Sequence, residues 1–302
     1  MYLSAERLAL ANRKVKETFE QTSVAWQAIP HWETGDPSRT EVPDDKLTKR
    51  DFVDLKPKTV EVFVTLAEAI SPMPDAVLAK VIAGTVALAA EVDNAVFPAL
   101  AAATEEKIPT TPKFEDLLNA LIEARAAVEK HGYRAPSCLL TNTDGLKLLS
   151  GLINNFPNPG TAVLLPAANI NSLHRVEKLV PDEESKADSD EESKADSPVW
   201  GWLLGRRRRI AHGGAAEASP GEEAVDLAVS IPPSLEVVGE KDNTIKLLVR
   251  ISYATRVKDE GGLVLLRLDG TAGAAATTKP ARAPRTGAAA TTTRASGTTR
   301  KK

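Results

Sequence analysis

A chain of 302 residues, 42% hydrophobic and 26% charged, can bury a substantial core and hold one large domain or two ordinary ones. Its single cysteine, Cys138, excludes an intramolecular disulfide and a cysteine-based zinc cluster. No stretch reaches the roughly 18 consecutive apolar residues of a spanning helix, and Met1 to Arg7 lacks the basic-then-apolar order of a secretory signal, so a cytoplasmic origin and no membrane partner are expected.

The formal net charge of -3 conceals an internal asymmetry. Residues 271–302 carry Lys279, Arg282, Arg285, Arg294, Arg300, Lys301 and Lys302 with no acid, a net +7. Residues 182–197 repeat the octapeptide Asp-Glu-Glu-Ser-Lys-Ala-Asp-Ser, with eight acids against two lysines. Both stretches are too polar to bury and are expected to order only against a partner. Tandem duplication fits a surface loop, where added length costs little entropy.

In chain order, Leu8, Val15, Phe19 and Trp26 place an apolar stripe on a helix over residues 3–27. This reads as an amphipathic arm whose stripe seeks a surface, and these four residues are candidate intersubunit contacts. Pro30 and Gly35-Asp36-Pro37-Ser38 end the helix. A polar, extended excursion follows to Lys58, returning along a β-branched strand, Thr59 to Leu66. Pro74-Asp75 opens a long helix in which Leu78, Val81, Ile82, Thr85, Leu88, Ala89, Val92 and Val96 recur at spacings of three and four, as far as Pro98. A second helix spans about Pro112 to His131, with Glu115 and Asp116 in its first turn and Gly132 as its stop. Ser137 to Thr141 is a short buried strand, and Asn142 or Thr143 caps a third helix carrying Leu146, Leu149, Leu152 and Ile153. Residues 155–180 show no clean period. Val199 to Leu204, Val225 to Gly239, Asn243 to Val257 and Leu263 to Leu268 read as strands, and the folded part is expected to end near Leu268.

Neither a phosphate-binding Gly-x4-Gly-Lys loop nor a Gly-x-Gly-x-x-Gly fingerprint is present, so nucleotide-driven chemistry has no support. His31, His131, His174 and His212 are scattered, and no helix can offer two of them to one metal. Cys138 lies within an apolar strand, where an inert core thiol is the simpler reading than a nucleophile. No catalytic, cofactor-binding or metal residue is assigned. The run Arg206, Arg207, Arg208 and Arg209 can grip phosphate or carboxylate in bidentate fashion. Trp200 and Trp202 nearby would suit a nucleic-acid clamp. The acidic repeat just upstream offers an equally good partner within or between subunits, so the four arginines join the candidate contacts. The basic tail can likewise lie along nucleic acid or tether a neighbour's acidic loop, through pairs that salt would screen.

The order of helical arm, extended excursion, return strand, long helix, mixed region and closing strands resembles the Hong Kong ninety-seven type shell family, shared by tailed-phage major capsid proteins and bacterial encapsulins. Val60-Glu61-Val62-Phe63-Val64-Thr65-Leu66 is similar to the strand leaving that family's extended loop, and Asp75 to Phe97 to its spine helix. Phe114 to Gly132, then Tyr133-Arg134-Ala135-Pro136 and the strand before Asn142-Thr143-Asp144, resemble the start of its axial domain. Asp226 to Val237, Thr244 to Val257 and Gly262 to Leu268 resemble its carboxy-terminal strands.

The resemblance implies an α+β capsid fold. Its parts would be an N-terminal arm (1–35), an extended loop (36–58), a peripheral domain (59–132) with spine helix 75–97, and an axial domain (133–240) bearing the acidic insertion 182–197. Closing peripheral strands (241–270) would complete it; the acidic insertion, the arginine run and the basic tail (271–302), whose composition predicts a flexible segment, match no feature of the family. It also implies many copies assembled as pentamers and hexamers into an icosahedral shell around the double-stranded DNA of a tailed phage. DNA would be bound without sequence preference. Scaffolding, portal and decoration proteins would be separate chains, since no scaffolding segment precedes the arm. Assembly would occur in the bacterial host cytoplasm, giving a virion capsid. The alternative is an encapsulin compartment enclosing a cargo enzyme. No residue here is assigned to the lysine–asparagine bond that joins some members of the family.

Overall fold

The computed structural model describes residues 3–46, 51–151, 159–179, 199–207 and 223–268. Its first sheet is built on a long hairpin, β9 (Val225–Lys241) and β10 (Thr244–Val257). Asp242 and Asn243 join them with φ of 52° and 59°, the paired left-handed residues of the tightest hairpin turn, a conformation that Asp and Asn tolerate. Strand β4 (Lys56–Thr65) pairs antiparallel with β10, and β1 (His31–Glu33) pairs parallel with β9, giving the order β1-β9-β10-β4. Register shifts in β9 leave Val238 as an extra residue and bend the strand at Pro232 and Pro233, which cannot donate to the ladder.

Helix α1 (Ala5–Thr22), followed by α2 (Val24–Ala28), packs on this sheet together with the spine helix α4 (Asp75–Ala102). Gly84 explains how closely α4 lies on β4: a Cβ there would stand 2.4 Å from Val62 Cγ2. The helix has 28 residues, about 42 Å at 1.5 Å per residue. The expected end at Phe97 is therefore corrected. Pro98 removes one helical hydrogen bond, but Phe97, Leu100 and Ala101 are all buried, so packing holds the last turn in helical form.

The second sheet has the order β5-β11-β8-β6-β7, from β5 (Lys107–Thr110), β6 (Arg134–Thr141), β7 (Ser172–Arg175), β8 (Val199–Arg207) and β11 (Leu263–Leu268). Helix α5 (Phe114–Lys130) covers β5, β8 and β11, and Gly132, at φ 88°, stops it. Asn142 caps α6 (Thr143–Ser150) by accepting the Gly145 amide at 2.8 Å. Residues without a clear period hold α7 (Thr161–Ala167) and β7. The buried edge-to-face pair Phe97–Trp202 ties α4 to the second sheet.

The expected division between an axial stretch 133–240 and closing peripheral strands 241–270 does not follow the sheets. β9 belongs with β10 and β4, whereas β11 sits between β5 and β8. The physical reason lies in β11 itself: Leu263, Val264, Leu265 and Leu266 are all buried, and a continuous apolar run needs cover on both faces. The second sheet's interior supplies that cover.

A short helix α3 (Leu66–Ile70) joins β4 to α4 through a capping box between Thr65 and Glu68. Hydrogen bonds from Lys80, and then from Thr65, hold the Glu68 carboxyl down to about 2. A carboxylate held low adds stability above its ordinary 4.5 and loses that contribution as the pH falls toward 2. Glu68→Gln should be slightly less stable than the parent at neutral pH. Urea titrations followed by circular dichroism should show that difference closing as the pH drops through this window.

Candidate assembly surfaces

The arm is docked on its own chain. Val15 and Phe19, expected to reach a neighbouring subunit, each have 0% exposure. That expectation is corrected, because the long surface of α4 and β9 is enough to cover a stripe of Ala11, Val15 and Phe19. Leu8 and Trp26 are half-buried; Trp26 stands edge-on to Phe19 at 5.5 Å and stacks on His31 at 3.7 Å. Three polar clips reinforce the docking. The Arg7 guanidinium donates to the carbonyls of Ala69 and Ser71, and Asn12 Oδ1 accepts the Leu235 amide at 2.9 Å. Asp93, on α4, accepts Ser23 Oγ at 2.7 Å and the amides of Val24 and Ala25 at 2.9 Å, satisfying the start of α2. Burial raises the Asp93 carboxyl above its ordinary range, against the pull of those donors.

The arginine run lies at the end of β8, where Arg206 and Arg207 close the strand and Arg207 faces Arg134 in register. Arg208 and Arg209 lie outside the described residues, as do the acidic repeat 182–197 and the basic tail 271–302. The anticipated pairing of repeat, run and tail thus also lies outside them. Cys138 is fully buried in β6 between β7 and β8, as an inert core thiol would be.

The surfaces open to a neighbour are different ones. Along β4, Val60, Val62 and Val64 point toward α4, and Glu61 and Phe63 point away from it. Phe63 and Val238 are both exposed and line a recess of about 610 Å³ with Gly239, Glu240, Lys241, Asp242, Thr244 and Lys246. Glu61–Lys246 and Glu236–Arg250 ion pairs cross the same face, each at 2.5 Å. Phe52, Ile70 and Met73 are also exposed. One signal was readable beforehand: Phe63 stands in the polar register of an alternating strand, where a large apolar residue has no inward role.

No family model matches the chain, and no curated protein matches it in sequence. Solved structures do match it in fold. A virus-like particle subunit from Pyrococcus furiosus superposes with a TM-score of 0.61 at 14% identity, covering 87% of this chain and 99% of that one. A phage-related protein from Bordetella bronchiseptica gives 0.60 at 10%, covering 86% and 96%. The capsid of an empty GTA particle gives 0.53 at 12%, covering 82% and 90%. The chain has the tailed-phage capsid fold. At such identities the shared feature is the path of the chain, so the fold here is held by this chain's own packing: an arm on α4, and α4 tied to the second sheet through Phe97 and Trp202.

Proposed function

We propose that the chain is a major capsid protein, assembling into the icosahedral shell around the double-stranded DNA of a tailed phage. The likeness of fold over almost the whole length of known shell subunits carries this reading. The role is structural, and the work is done at interfaces. Many copies sharing modest contacts close a shell through symmetry, without any single strong contact. Pentamers and hexamers would form its vertices and faces. Scaffolding, portal and decoration functions would come from separate proteins, DNA would be contained without sequence reading, and assembly would take place in the host cytoplasm.

A second reading is an encapsulin compartment around a cargo enzyme. The likeness to the virus-like particle subunit, at a TM-score of 0.61, supports it as well, beside 0.60 for the phage-related protein. Particles isolated from the native host should contain nuclease-protected DNA if the phage reading holds. DNA-free particles holding one co-purifying enzyme would replace it with the second.

A further inference from the structure

The second sheet gathers cations at one of its ends. Gly205 of β8 lies against α5, where a Cβ would stand 3.4 Å from Val128 Cβ and 2.7 Å from Tyr133 Cβ, so this face of the sheet is the one that α5 covers. Two residues on, Arg207 holds a position on the same face, and its partner in register is Arg134, at the start of β6. Lys130 and His131, both exposed, end α5 a few residues before Arg134. Arg206 takes the adjoining position on β8.

The acids beside this cluster are already engaged. Glu129 pairs with Arg125 at 2.9 Å. Asp259 accepts the Tyr133 hydroxyl at 2.8 Å and the Gly261 amide at 3.0 Å. Glu260 stands 3.8 Å from Lys46, which lies between β2 (Glu41–Pro43) and β3 (Phe52–Asp54). Arg125 itself is 5% exposed; its Nη1 donates to the Tyr133 carbonyl at 3.3 Å, and its Nε has no hydrogen-bond partner among the described residues. Burial pulls the Arg125 guanidinium below its ordinary range, and Glu129 offsets only part of that.

Like charges placed directly opposite on paired strands are unfavourable, so a cluster holding Arg134 against Arg207, with too few acids around it, gains by taking up an anion. Neighbouring positions lie about 3.3 Å apart along a strand and about 5 Å apart across the pair. Charge spread over Lys130, Arg134, Arg206 and Arg207 therefore extends beyond one phosphate group and suits a repeating polyanion. Tyr133 is 1% exposed and offers no face on which a base could stack. Such a place holds a backbone and reads no sequence.

We propose that this end of the second sheet, with Lys130, Arg134, Arg206 and Arg207, binds the phosphate backbone of double-stranded nucleic acid without sequence preference. The site deepens the capsid reading, on which the identity of the polyanion as packaged DNA rests. An acidic peptide is the lesser fit. Val199, which follows the acidic repeat in sequence, lies at the opposite end of β8, roughly 23 Å from Arg206 at 3.3 Å per residue.

Fluorescence anisotropy of a short mixed-sequence DNA duplex, titrated with the unassembled full chain between about 50 and 200 mM salt, tests the site. Arg134→Gln with Arg207→Gln should weaken binding about 10-fold and make the log–log salt slope shallower by about 2. The basic tail is present in every variant, so the difference reads this site alone. Arg134→Lys with Arg207→Lys keeps the charge and should restore most of the affinity. Arg13→Gln with Lys16→Gln, a charge-matched pair exposed on α1, should change little, and inorganic phosphate should displace the duplex no better than chloride at equal ionic strength. If circular dichroism shows the first pair to be misfolded, Lys130→Gln with Arg206→Gln is read in its place. An unchanged slope, an equal loss in the α1 pair, displacement by inorganic phosphate, or a loss confined to binding of a peptide carrying the acidic repeat would overturn the proposal. The measurement needs no shell, so its failure leaves the capsid reading standing.

Discussion

Replacing Phe19 with alanine is expected to destabilise the isolated protomer by about 3–5 kcal/mol, the usual loss for a fully buried aromatic. The side chain fills the seam between α1, α4 and β9 and meets Trp26 edge-on, so its removal loses both area and a ring contact. Urea denaturation followed by tryptophan fluorescence should show a much lower midpoint. Leu8→Ala, at a half-buried position on the same helix, should cost about 1 kcal/mol. If the arm were instead a tether to other subunits, Phe19→Ala would leave the protomer's stability unchanged and weaken assembly alone.

Asp226→Ala should have a comparable effect for a different reason. The carboxylate neutralises Arg256 and Lys258 in a site closed to water. Without it two buried cations lose their shared partner, and breaking a buried ion pair from one side costs about 3–5 kcal/mol. Glu223 remains 3.8 Å from Lys258 and the more exposed Asp45 remains 2.6 Å from Arg256, so the loss is the buried, bidentate half of the network. Thermal unfolding should shift clearly downward. Replacing Asp226 and Arg256 together by apolar residues of similar size should recover much of it, because the penalty comes from the stranded charge rather than from the missing pair. A double replacement as unstable as the single one would show that the ion network itself supplies the stability.

The helices were the most legible part of the sequence. α5 shows its apolar face, its acidic first turn and its glycine stop in the residues themselves, and Asn142 is a cap because its short side chain can reach the Gly145 amide. The end of α4 was not legible, since Pro98 signals a break locally and only the burial of Leu100 and Ala101 overrides it. Strands were legible as strands but not as neighbours. Nothing in Leu263 to Leu268 names β8 and β5 as its partners, and the run's lack of alternation says only that it is covered on both faces.

The assembly surface was harder still. The stripe of Val15 and Phe19 looked like a contact because an amphipathic helix shows that one side is covered and not what covers it. The exposed apolar residues include Phe52, Phe63 and Val238, and of these three only Phe63, in the outward register of β4, carries a signal in the sequence. Arg256 and Asp226 are thirty residues apart in sequence and meet only because β9 and β10 fold back on one another. Such convergence is invisible before the hairpin's register is known.

In the proposed capsid role this chain closes shells from copies of itself. Electron microscopy of the purified full chain, expressed alone and with the separate scaffolding protein that the capsid reading expects, tests it. Closed icosahedral particles of uniform diameter, whose reconstructed subunit carries the arm docked along α4, are the predicted result. A monodisperse monomer or small closed oligomer in both preparations would contradict it.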